Sequence, residues 1–97
     1  MMRKVTLQKP IERKGSDPIA EVTVREPTVG DIRGLSQMDL GKMEVKTMER
    51  LLPRITLPPL LPDEIAAMNM ADFFRLSGAA VSFFMTDAER EAAGLSE

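Results

Sequence analysis

The sequence predicts an α+β domain, an N-terminal two-stranded antiparallel β-hairpin followed by three to four α-helices. Three observations lead there. Two short runs alternate apolar and polar residues with a period of two, the pattern of half-buried strands. A stretch rich in Gly, Ser, Asp and Pro separates them. Beyond residue 28 the apolar spacing changes to that of helices, and residues suited to capping stand where the helices would begin.

The first run sets Val5 and Leu7 against Thr6 and Gln8, and the second sets Val22 and Val24 against Glu21, Thr23 and Arg25. Between them Lys9–Pro18 (KPIERKGSDP) supplies turn chemistry through Gly15, Ser16, Asp17 and Pro18. The hairpin is expected over 4–26, with Val5, Leu7, Val22 and Val24 on one apolar face. A lone hairpin is marginal in water, so that face needs a helix or another copy of the chain as cover.

REPTVGD, at 25–31, reads as a joint between strand and helix. Pro27 has no N–H and ends ladder pairing. Thr28 suits an N-cap, and Asp31, three residues on, makes a variant of the capping box. A helix is expected over 29–37, with Val29, Ile32 and Leu35 on one face. A break at Met38–Lys42, centred on Gly41, precedes a helix over 43–52. There Val45, Met48, Leu51 and Leu52 share one side, Lys46, Glu49 and Arg50 the other, and Pro53 ends the helix. Residues 53–62 (PRITLPPLLP) hold four of the seven prolines and read as a stiff, extended connector lying against something. A short helix over 63–68 follows, with Asp63 and Glu64 in its first turn. Asn69 then caps a last helix over 70–85. Residues 1–85 form one domain, and 86–97 read as a flexible acidic tail.

The last helix, MADFFRLSGAAVSFFM, holds all four Phe of the chain. Asp72, Arg75 and Ser82 project as one polar stripe, and the rest of the circumference is apolar. Such a helix is either the centre of the fold or a surface for an oligomer or partner, and the sequence leaves both open. The candidate contact residues are Phe73, Phe74, Val81, Phe84 and Met85, with Leu57, Leu60 and Leu61 as a second apolar strip. A membrane span is not expected, because the segment is shorter than the ~20 residues required and Asp72 and Arg75 interrupt it.

The chain has no Cys, His, Trp or Tyr among its 97 residues. The commonest general base and the commonest soft and imidazole metal ligands are thereby missing. The carboxylates at 63, 64 and 72 stand at helix starts, where capping accounts for them. No enzyme, metal or cofactor is expected. Residues 1–50 carry ten Lys/Arg against eight Asp/Glu, and 51–97 three against seven, so neither half has the basic footprint of a nucleic-acid binder. No apolar core of a signal peptide follows Met1–Lys4, and the expected location is the cytoplasm.

The order Leu7-x-Lys9-Pro10-Ile11, then Val24-Arg25-Glu26-Pro27-Thr28-x-Gly30-Asp31-Ile32-Arg33, then a Phe-containing helix opened by Asp72, resembles the small tail assembly chaperones of contractile-tailed phages, the Mu-like and E-type family. The likeness covers roughly residues 4–85. It implies a non-enzymatic protein of the infected bacterial host's cytoplasm that binds the long tape measure protein, keeps its apolar helices from aggregating and leaves before the tail is complete. It also implies a homo-oligomer and a longer product made by ribosomal frameshifting. No ligand residues carry over by position, so the contact residues above and the joint at Pro27, Thr28 and Asp31 come from physical reading. Two other readings compete. One is a permanent tail or baseplate component. The other is a small DNA-binding or antitoxin-like regulator, which would need a basic recognition helix where 29–37 offers only Arg33.

Overall fold

The two alternating runs pair as antiparallel strands β1 (Met2–Ile11) and β2 (Ile19–Arg25), with Val5 opposite Val22. The computed structural model describes residues 2–84. Val5, Leu7, Val22 and Val24 all turn inward and are buried. The ladder holds one register from Met2–Arg25 to Thr6–Glu21, then shifts before Ile11 meets Ile19, five steps along β1 against two along β2. β1 therefore bulges, and the stretch from Lys9 to Ile11, expected as turn, is strand.

The bulge has a cause on the last helix, Met70–Ser82. Two successive N–H groups of β1, those of Gln8 and Lys9, donate to Asp72 Oδ1 and Oδ2 at 2.9 and 3.1 Å. Beside them Arg75 donates to the Thr6 carbonyl at 2.6 Å. Asp72 is 1% exposed, so it leaves the polar stripe expected of it and faces the strand. Its position is natural once the need is stated, because buried backbone donors must find an acceptor. Asn69 caps the helix as expected, accepting from the Asp72 N–H at 2.9 Å.

The joint after β2 departs from the expected helix over 29–37. It forms a single 3₁₀ turn, Val29–Ile32, and the chain then swings through Gly34 at φ +83°, a left-handed conformation that glycine adopts without penalty. Only then does α1 (Gln37–Gly41) begin, with Ser36 Oγ accepting from the Asp39 N–H. The expected break at Met38–Lys42 is thus largely helix, and the chain is interrupted on either side of it, at Gly34 before α1 and at 42–44 directly after Gly41, where Met43 takes φ +55°. Val29 is exposed, while Ile32 and Leu35 rest against the core. The cap itself forms as anticipated in one half, since Thr28 donates its N–H and its hydroxyl to Asp31 Oδ2 at 2.8 and 3.0 Å.

α2 (Val45–Ile55) does not stop at Pro53. A proline near the last turn removes one backbone hydrogen bond. Continuing to Ile55 extends the buried row Met48, Leu51, Leu52, and Ile55 is itself buried. Val45, expected in that row, is exposed at the helix start. The expected connector then supplies a strand that the sequence hid, β3 (Thr56–Leu57), which pairs Thr56 with Val24 and Leu57 with Thr23. β2 is the middle strand of three. Two residues between prolines are too few to show a period. Thr56, buried, donates its hydroxyl to the Leu52 carbonyl at 2.7 Å and accepts from the Leu60 N–H at 3.0 Å. α3 (Pro62–Ala67) and α4 (Met70–Ser82) complete the fold, and the core gathers between the sheet's inner face, α2 and α4.

Arginine locks tie the irregular pieces together. Arg25 forms a two-pronged pair with Asp31 at 2.7 and 2.8 Å and donates to the Arg54 carbonyl at 2.8 Å. Arg54 donates to the carbonyls of Asp31 and Arg33. Arg13 pairs with Glu64 through two 2.7 Å bonds and holds the Pro59 carbonyl at 2.7 Å. The Arg25 guanidinium, with the Thr28 N–H, keeps the Asp31 carboxyl well below the usual carboxylate range, and Arg13 lowers Glu64 in the same way.

Two outcomes follow for stability. Replacing Asp72 by Ala leaves two part-buried N–H groups without their acceptor and should cost roughly 1–3 kcal/mol in urea unfolding; an unchanged midpoint would show that water or another group satisfies them. For Asp31, the folded pKa lies below the unfolded one. The joint's contribution is therefore fully present above about pH 4 and is lost as pH falls through and below that value. Asp31→Asn should flatten the acid limb of stability against pH without abolishing it, since Glu64 remains. Identical acid limbs in wild type and variant would refute the role given to Asp31.

Candidate partner-binding surface

The apolar spacing of α4 is divided between core and solvent. Phe73, Leu76, Ala80 and Val81 face the sheet and α2 and are buried. Ser77 and Ser82, though polar, lie on the buried side as well, and Ser82 donates its hydroxyl to the Ala79 carbonyl at 2.7 Å. The opposite side carries Met70 and Ala71, then Phe74 and Arg75, one turn further on. Met70 is 59% exposed and Phe74 57%. Gly78 continues their row by another i, i+4 step, and a β-carbon added there would meet nothing within 4 Å.

The candidate contact residues therefore separate. Phe74, Phe84, Leu57 and Leu61 are exposed and available to a partner. Phe73, Val81 and Leu60 are buried, and this corrects their assignment to an apolar surface. They are core because the hairpin face and α2 need a cover, and α4 supplies it. Met85 and the expected tail at 86–97 lie outside the described residues. Pro27, Thr28 and Asp31 do meet in one joint, as described above.

Met70 was missed in the sequence. Its signal was present, since Met70, Phe74 and Gly78 follow the spacing of one helical face, but in a helix apolar nearly all round a face alone does not say which side is wet. Arg3 stands near the start of β1, two residues before the buried Val5. It turns inward, with its guanidinium 4.8 Å from the centre of the Phe83 ring, a cation–π contact at the open end of the hairpin.

Among the described residues no three His, Cys, Asp or Glu side chains come together to hold a metal ion. Among the same residues no helix is long and apolar enough to cross a membrane. What the surface offers is apolar contact from rigid supports, with an arginine beside it.

The described residues make a small α+β fold whose last helix is capped and half exposed. Residues 4–85 match the family of phage tail assembly chaperone proteins, E, or 41 or 14, and the chain belongs to that family. Membership gives it a role in phage tail assembly. Among curated relatives, it is 37% identical over 79 residues to Tail assembly protein E of Escherichia phage P2, covering 81% of this chain and 86% of that protein. It is 35% identical over 83 residues to Tail assembly protein E' of the same phage, covering 86% of this chain but only 58% of that relative, which is therefore the longer of the pair. No solved structure matches the chain.

The division of α4 predicts contrasting truncations. Leu76→Ala should cost about 2–5 kcal/mol, as for other buried leucines. Phe74→Ala should change stability by no more than about 0.5 kcal/mol. Comparable losses of stability in the two variants, measured by chemical unfolding, would place Phe74 in the core.

Proposed function

We propose that this chain is a non-enzymatic chaperone that binds the tape measure protein in the host cytoplasm, keeps it soluble during tail building and is absent from the finished virion. The observation that carries the reading is the outward row Met70, Phe74 and Gly78 on α4. A flexible thioether, an aromatic ring and an open notch suit the apolar stripe of another helix, laid along this one. Because Asp72 and Arg75 anchor α4 to β1, the row is presented on a fixed support. Each contact is small, and a long helical client engages many copies, so the array holds where one copy would let go.

In this reading the chain also associates with itself. Its gene yields a longer frameshifted form, by analogy with the unequal lengths of E and E'. The shared fold would then serve both products, with the added part supplying a different partner.

Co-expression tests the proposal. The tape measure protein of the same phage should be recovered in the soluble fraction with this chain and be largely insoluble without it. Phe74→Glu combined with Met70→Glu should abolish that gain while leaving the circular dichroism of the chaperone unchanged. A client equally soluble with the double variant would defeat the assignment of the surface. Detection of this chain by mass spectrometry in purified virions at the level of tail proteins would instead favour a permanent tail component.

A further inference from the structure

We infer that the self-association is head to tail, with a leucine–proline ridge of one copy seated in an apolar groove of the next. The inference rests on the self-association just proposed and names the two surfaces that make it.

The ridge is Leu57–Pro62. Leu61 is 56% exposed, Leu57, Pro58, Pro59 and Pro62 are exposed too, and Leu60 alone turns into the core. No residue in it is charged. It is also fixed in shape. The Leu60 N–H is held by Thr56 Oγ1 at 3.0 Å, the Leu61 N–H by Glu64 Oε1 at 2.9 Å, and the Pro59 carbonyl by Arg13 at 2.7 Å. A surface already ordered loses little freedom when it binds, and so more of its burial appears as affinity.

The groove lies between the 3₁₀ turn, α1 and the end of α4. Ile32, Gln37, Leu40, Gly41, Val81 and Phe84 line it, none of them charged, and its volume is about 440 Å³. Leu40 and Val81 are buried beneath it, and Phe84, 42% exposed, stands at its side. A second groove, beside Lys9 and Pro10, includes Glu12, Asp63 and Glu64 in its lining and does not suit an uncharged ridge.

Charge at the margins is opposite in sign. Arg33 and Lys42, both exposed, adjoin the groove residues Ile32 and Gly41 in the chain, while Asp39 of α1 is half-buried. At the Leu61 end of the ridge the exposed margin is acidic, with Asp63 two residues on and Glu12 lining the same hollow as Asp63. The ridge runs from Leu57, which pairs with Thr23 near the open end of the hairpin, toward the turn end at Pro59 and Leu61. Arg13, beside the turn, ties down Pro59 and Glu64, whereas Arg3, at the open end, stacks on Phe83 next to the groove. At ~3.3 Å per strand residue these ends are roughly 20–25 Å apart. Leu61 is not among the residues lining the groove of its own copy, and its N–H is held in place by Glu64. A contact between two unlike surfaces is heterologous, and it closes into a ring or continues as a filament.

Leu61→Asp and Phe84→Asp alter one surface each, outside the core, and aspartate at 61 suits the start of α3. Sedimentation velocity of the full chain at rising concentration should show assembly for wild type, and a monomer for each variant alone with unchanged circular dichroism. An equal mixture of the two variants should sediment as a dimer and nothing larger, because each brings one intact surface. A wild type that stays monomeric throughout overturns both the self-association and this contact. Assembly that survives in either variant, or a mixture that remains monomeric, overturns the ridge–groove contact alone and leaves self-association to other surfaces.

Discussion

The fold turns on one carboxylate. Asp72, buried at the first turn of α4, takes two consecutive N–H groups of β1 at once. A strand cannot offer two neighbouring donors to one side while keeping regular pairing, because successive groups point opposite ways. The bulge, the shift in register and the seating of α4 are therefore one event. With α4 seated, Phe73, Leu76 and Val81 close the hairpin's apolar face, and what α4 does not bury is what the surroundings see. A charged acceptor makes stronger bonds to N–H groups than a neutral one, which suits a contact that must orient a helix as well as hold it.

The irregular half of the molecule is organised by arginine in the same spirit. Arg25 and Arg13 each grip a carboxylate with two prongs and spend a further N–H on a backbone carbonyl. Planar, forked donors hold geometry in a way that a lysine ammonium does not. Each binds a place where regular structure stops, the joint after β2 in one case and the approach to α3 in the other. In this way a chain with little regular structure between residues 26 and 44 still presents a defined surface there.

Much of this was legible in the sequence where a pattern is long or a cap is strong. The hairpin's inward four residues, the Thr28–Asp31 cap, the Asn69 cap and the amphipathic row of α2 all followed from spacing and local chemistry. The misses share a different origin. Gly41 marks the interruption before α2 only to within a residue or two, since α1 runs through it to a break at 42–44, and the separate break at Gly34 has no periodic signal around it. Pro53 reads as a stop unless the burial of Ile55 is known. β3 has two residues, and its partner strand is more than thirty positions away. For the surface, the apolar helix was recognised, but its wet and dry sides were not, since burial of Asp72 reverses the ordinary rule that charge marks the solvent face.

The stretch from Pro58 to Pro62 has a consequence for the company the protein keeps. Three of its five residues are prolines without an N–H, and the other two have already given theirs away. An exposed greasy strip is ordinarily an invitation to stray chains, which can latch on by extending a sheet. Here no main-chain donor is left to template that growth. The strip exposes apolar side chains without offering an N–H to a growing sheet.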